Sequence, residues 1–164
     1  GSFCVIRRVG RVQLGESARI ANFNWITSIP TKAFGMEKRN RVLALGDHTA
    51  VTSRHYIDVQ ESIIVGHHTI IAGVRSTLLT HEISIGESRQ ECRPISIGNY
   101  CFIGTGCIVL AGAVIEDCCV LAAGAVVPRG VYTGPALYGG VPARRLKALD
   151  ASSAFFKRVD GYVS

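Results

Sequence analysis

The chain has 164 residues, a formal charge of +6 at pH 7, 7% aromatic residues and a mean hydropathy of +0.27. No run of about 20 uncharged apolar residues is present, so no membrane-spanning helix is expected; the apolar stretch 110–127 is cut by Glu116 and Asp117. Dispersed basic residues and few aromatics argue against a stacking platform for nucleic acid, and the surplus charge points to a phosphate-bearing cofactor.

In chain order, Gly1-Ser2 reads as an expression scar, which leaves the native start outside the sequence. Leu14, Ile20 and Ile26 are then spaced by six, as are Leu45, Val51 and Ile57, and Val65, Ile71 and Thr77. From Ile97 the beat runs unbroken through Ile103, Val109, Ile115, Leu121 and Val127. Four residues after each of the first five come Cys101, Cys107, Ala113, Cys119 and Ala125, all small. A hexapeptide period is the mark of a parallel β-helix. Side chains two apart on a strand share a face, so the large residue and the small one before it both point inward.

Grouped in threes, the coils begin at Leu14, Leu45, Val65, Ile97 and Ile115. The steps of 31, 20, 32 and 18 residues place every excess after the third hexad, at one corner of a triangular prism. The expected fold is an all-β solenoid of about five triangular coils over 14–132. Loops are inserted at 32–44 and 83–96, and a cap and tail follow at 133–164, within one domain of 164 residues. A short helix is expected near 150–158, capped by Asp150 or Ser152 and covering the last coil. Lys38, Arg39 and Arg41 make the first loop basic.

Of the six cysteines none forms a C-x2-C pair, and three sit at the small inward position, where a thiol acts as a small hydrophobe. Reduced thiols and a cytoplasmic setting are expected. His55 falls at an inward position, with Asn24 one coil before and Arg75 one coil after. These three read as a hydrogen-bonded ladder or as acceptor contacts. His48, His67 and His68 fall at turns.

The stretch ISIGNYCFIGTGCIVLAGAVIEDCCVLAAGAVVPRG, followed by LYGGVPARRLK, resembles the C-terminal half of hexapeptide-repeat acyltransferases. These include the galactoside, maltose and exopolysaccharide O-acetyltransferases, and the likeness covers about residues 45–147. It implies a left-handed coil, a homotrimer and acetyl-CoA as acyl donor. It also implies a sugar or glycan-precursor acceptor, with neither metal nor nucleic acid. In that family a histidine precedes the inserted loop, the place of His81, and acts as general base; neutral imidazole suits proton removal near pH 7.

Glu61, twenty residues before His81, is the expected orienter, with Asp58 and Glu82 nearby. Regular parity turns His81 inward, so its hexad must distort. Small positions at Gly104, Thr105, Ala122, Ala123 and Gly124 match the family's donor groove between subunits, and Arg129, Arg144, Arg145 and Lys147 match its basic residues. Pro128-Arg129 stands where Thr-Lys is common, and Phe102 where tryptophan is frequent. Asn24 lies in ANFNW, like a galactoside-type motif whose second asparagine contacts sugar, but about one coil further from the histidine.

The alternatives are an amino-sugar N-acyltransferase and a non-catalytic β-helix subunit. Peripheral contact with a membrane-borne acceptor stays open. The γ-class carbonic anhydrases share the fold, but three zinc-ligating histidines cannot be assigned here.

Overall fold

The computed structural model describes residues 1–30, 39–161 and 163. Lys38 and most of the basic stretch at 32–44 lie outside the described residues. Three sheets form the sides of a prism. Sheet A stacks Val5–Arg7, Trp25–Thr27, Tyr56–Asp58, Thr77–Leu79, Ile108–Val109 and Val126–Val127. Sheet B stacks Arg11–Leu14, Val42–Leu45, Ile63–Val65, Ile95–Ile97, Ala113–Ile115 and Gly130–Tyr132. Sheet C stacks Arg19–Ile20, Ala50–Val51, Ile70–Ile71, Phe102–Ile103, Cys119–Leu121 and Ala136–Gly139, and ends on the antiparallel strand Arg144–Ala148.

All other pairings within these sheets are parallel, as a β-helix requires. The five coil origins fall in one register: Leu14↔Leu45, Leu45↔Val65, Val65↔Ile97 and Ile97↔Ile115. Pairing starts earlier than Leu14, at Val5–Arg7, and in sheet C runs on past Tyr132 to Ala148.

The large aliphatics stack up the prism axis. Ile26, Ile57, Leu78, Val109 and Val127 are each fully buried in sheet A, each burial worth about 1.5–3 kcal/mol. The small inward position has a second task. Thr49 and Thr69 donate their hydroxyls to Gly66 O and Gly98 O (2.5 and 2.7 Å), and Cys101 and Cys119 donate their thiols to Glu116 O and Tyr132 O (3.1 and 3.2 Å). Each ties one coil's corner to the next. Burial pushes both thiols up to about 12, so they stay protonated.

One hexad departs from the beat. Thr77 pairs with Tyr56 and faces outward, and Leu78 pairs with Ile57 and fills the core. Seven residues, not six, separate Ile71 from Leu78. The extra residue is absorbed at the corner, where Gly73 and Arg75 adopt φ of +68° and +62°. A one-residue slip exchanges the two faces of a strand. Thr80 is therefore buried and His81 turned outward.

The C-terminus forms a 3₁₀ turn, Ala154–Lys157, with Ser153 at its cap. Asp150 instead closes a turn onto Ser152, through N–H (2.8 Å) and Oγ (2.6 Å). The tail does not cover the last coil but runs back along the B–C corner. There His48, His68 and Tyr100 stack at 4.9 and 4.7 Å, Tyr100 OH donates to Arg158 O (3.3 Å), and Arg19 reaches Gly161 O (3.3 Å).

Candidate active site

His81 opens a β-hairpin, His81–Ser84 with Arg89–Cys92, that fills the predicted insertion and projects from the A–B corner. Register pairs His81 with Cys92. The base of the hairpin is fastened by Arg93, whose N–H donates to Thr80 O (2.9 Å) and whose guanidinium bridges Glu82 and Glu91.

The partner of His81 is Asp58, not Glu61. His81 Nδ1 lies 2.9 Å from Asp58 Oδ2. Thr80 N–H donates to the same oxygen (3.1 Å), and Thr80 Oγ1 lies within 2.9 Å of it. Asp58 is 1% exposed, so its carboxylate is held by these groups rather than by water. An Nδ1–H donated to Asp58 leaves the Nε2 lone pair outward. The His81 side chain is 29% exposed, and no described residue takes its Nε2. The hydrogen bond donated to Asp58 raises the His81 pKa above its ordinary value, against a smaller lowering by burial.

Glu61 misses His81 because the extra residue before Leu78 changes the coil offset from 20 to 21. Glu61 accepts instead from Ser62 N–H (3.0 Å) and pairs with Arg39 (3.5 Å), which also donates to Cys92 O (3.3 Å). Asp58 was legible as a nearby carboxylate; the signal that favours it is Leu78, the large aliphatic one place late.

The acceptor contacts expected at Asn24 and His55 need correcting, and so does the place of Arg75 in the ladder. Asn24 and His55 lie inside the prism, 1% and 2% exposed, where no acceptor reaches them. Asn24 Oδ1 accepts from His55 N–H (2.9 Å), and Asn24 Nδ2 donates to Thr52 O (2.7 Å). His55 Nδ1 accepts from Ser76 N–H (3.1 Å), and His55 Nε2 meets Thr52 Oγ1 (2.9 Å). Burial lowers the His55 pKa and favours the neutral ring. The third rung is Ser76, 0% exposed, because the same slip moves Arg75 to the exposed corner.

The small residues Gly104, Thr105, Ala122, Ala123 and Gly124 line the C–A corner, across sheet A from His81. A Cβ on Gly104 would come within 2.7 Å of Leu121 O, whereas one on Gly106 or Gly124 would meet nothing within 4 Å. Close packing therefore fixes the first, and open space lies before the other two. Arg144 pairs with Gly139 at this end of sheet C, and Arg145 and Lys147 follow it on an exposed strand. Arg129 lies at the A–B corner, where it and Arg93 flank Gly112. One edge of the prism thus carries His81 and Arg129, and the other carries the small groove with Arg144 beside it, from which Arg145 and Lys147 run back along sheet C. Among the described residues no cluster of three His, Cys, Asp or Glu side chains could hold a metal, and no helix is long and apolar enough to cross a membrane.

Known proteins share this fold. The family pattern described as "Bacterial transferase hexapeptide (six repeats)" matches residues 94–129. YvoF of Bacillus subtilis (strain 168), named as a candidate acetyltransferase, is 40% identical over 84 residues, 51% of this chain and 46% of the relative. The chain thus aligns with about half the length of that curated relative. A hexapeptide-repeat-containing acetyltransferase of Vibrio cholerae, solved with acetyl coenzyme A, superposes with a TM-score of 0.67 at 25% identity, over 87% of this chain and 72% of that one. The N-acyltransferase AntD of Bacillus cereus, solved with dTDP and 3-hydroxybutyryl-CoA, shares the fold (TM-score 0.72, 16% identity, 90% and 78% covered). The resemblance to hexapeptide-repeat acyltransferases holds.

Proposed function

We propose that this chain is an acetyl-CoA-dependent O-acetyltransferase acting on a sugar or surface-polysaccharide precursor. The observation that carries the reading is the His81–Asp58 pair, a histidine held by a buried carboxylate with Nε2 open at the edge of the prism. Its chemistry is direct transfer in a ternary complex. The acceptor hydroxyl gives its proton to Nε2 as its oxygen bonds the acyl carbon. The C–S bond then breaks, and the proton passes from the imidazolium to the departing thiolate. Asp58 holds the ring and stabilises its charged form.

Acetyl-CoA fits the C–A groove in this reading. Gly106 and Gly124 leave room for a chain to pass the backbone, and Arg144, Arg145 and Lys147 offer charge to its phosphates. Groove and histidine lie on opposite edges of sheet A, which favours a homotrimer with the groove of one subunit facing His81 of the next. An uncharged outward column on sheet B (Ala44, Ile64, Ser96, Val114 and Val131) and the exposed hairpin residues Ile83 and Ile85 suit such contacts. The left hand of the coil and the cytoplasmic setting belong to the same proposal.

Calorimetric titration tests it. Acetyl-CoA binds at micromolar affinity, about one site per chain, and CoA is released when sugars bearing free hydroxyls are added. Absence of binding by folded protein refutes the reading, and transfer confined to amino sugars replaces it with N-acylation.

A further inference from the structure

Thr80 carries a hydroxyl where the core does not ask for one. Register sets Leu78 beside Ile57 in the coil below and Val109 in the coil above. Two places on from these, Thr80 stands level with Val59 and Ala111, both buried and apolar. Thr80 is equally buried, at 0% exposed.

Every polar group of Thr80 is engaged, and they converge on Asp58. Its C=O accepts from Arg93 N–H (2.9 Å), and its Oγ1 accepts from Glu61 N–H (3.0 Å). Its own N–H donates to Asp58 Oδ2 (3.1 Å). The single hydroxyl proton has two acceptors at 2.9 Å, Asp58 O and Asp58 Oδ2. A hydrogen bond to an ionised oxygen is about twice as strong as one to a neutral carbonyl, which favours Oδ2. Thr69 shows the plain form of the contact. Its hydroxyl accepts from Cys101 N–H (2.9 Å) and donates to Gly98 O (2.7 Å).

The oxygen that Thr80 clasps is the one that meets His81 Nδ1, at 2.9 Å. Thr80 and His81 are consecutive, so one corner brings both groups to one atom. Rotation of the Asp58 side chain would carry Oδ2 away from the imidazole. Two donors from one buried residue remove that freedom. The extra residue before Leu78 turns Thr80 inward and His81 outward in a single step.

We propose that Thr80 is a positioning residue for proton transfer. Its N–H and hydroxyl fix Asp58 Oδ2, and Asp58 in turn holds the His81 ring with Nε2 outward. This rests on the acyl-transfer reading and adds a residue that touches neither substrate nor imidazole.

The test follows the His81 ring directly. Its signal among the five histidines is the one missing from His81→Ala, and its titration is recorded by NMR beside kcat and KM for acetyl transfer. Thr80→Val keeps the volume and removes the hydroxyl. Its midpoint falls toward the ordinary value of about 6.5, and kcat drops at least about tenfold with KM little changed. Thr80→Ser restores both. Thr69→Val also loses a buried hydroxyl and orphans one N–H, so it lowers stability, yet it leaves the midpoint and kcat in place. Where Thr80→Val does not fold, Thr80→Ala, which matches Ala111 one coil above, is read the same way. An unmoved midpoint, or a serine variant as impaired as the valine one, overturns the proposal. A midpoint that rises with kcat kept also overturns it, since the hydroxyl then only screens the Asp58 charge. A parent chain that transfers no acetyl group refutes the acyl-transfer reading instead, and the ring titration still decides what Thr80 does.

Discussion

Two histidines in neighbouring regions show how one residue type serves opposite ends. His55 lies inside the prism with both ring nitrogens engaged by Ser76 N–H and Thr52 Oγ1. His81 lies at the A–B corner with Nδ1 on Asp58 and Nε2 toward solvent. Burial lowers the pKa of the first, and a carboxylate raises that of the second. A histidine whose nitrogens are both satisfied by the chain is a strut, and one with a single nitrogen satisfied by an acid is available as a base.

The contrast is broken most severely by His81→Ala. Under the proposed chemistry this lowers kcat about 10³-fold while the fold, followed by circular dichroism, and acetyl-CoA binding stay as they were. A kcat near that of the parent removes His81 from the mechanism. The converse change, His55→Ala, leaves a cavity and two orphaned partners in the core. It costs about 3 kcal/mol in denaturant unfolding, and the folded fraction retains its kcat. Equal loss of activity per folded molecule would erase the distinction between the two rings.

The histidines also separate by pH. With its folded pKa lowered, His55 contributes stability that is complete above the ordinary value of about 6.5. That contribution is lost as pH falls from there through the folded pKa. With its folded pKa raised, His81 contributes stability that is complete below about 6.5 and is lost as pH rises through the folded pKa. As a base it gains activity over that same rise, so kcat/KM climbs with an apparent pKa above 6.5. Asp58→Asn sharpens the comparison with the smallest effect. It lowers kcat about tenfold to a hundredfold and moves the apparent pKa in the pH–rate profile downward. A profile unmoved by that substitution means that Asp58 only anchors Thr80.

Much of this arrangement is legible in the residues. The beat from Ile97 to Val127, and the coil origins Leu14, Leu45, Val65, Ile97 and Ile115, reappear as strand register because core volume rewards stacking like on like. His81 is legible as the residue before an inserted arm. The third rung at Ser76 and the choice of Asp58 over Glu61 are not, because both depend on the extra residue between Ile71 and Leu78. Within STLLTHE either Thr77 or Leu78 satisfies a six-residue count to within one place. Only contact with Ile57 decides in favour of Leu78.

The sequence by itself determined a stacked repeat, its core, the corner where insertions gather and the histidine beside them. The first three follow from local spacing, which each coil carries in its own residues, and His81 from the resemblance to the hexapeptide-repeat acyltransferases. Tertiary structure alone decided that Asp58 rather than Glu61 holds His81, that Ser76 rather than Arg75 completes the ladder, and that the tail runs back along the prism. Each of these is a contact between coils. The first two rest on the length of the corner between strands, where one residue exchanges inside for outside, and the third on the contacts of Arg158 and Gly161 with Tyr100 and Arg19.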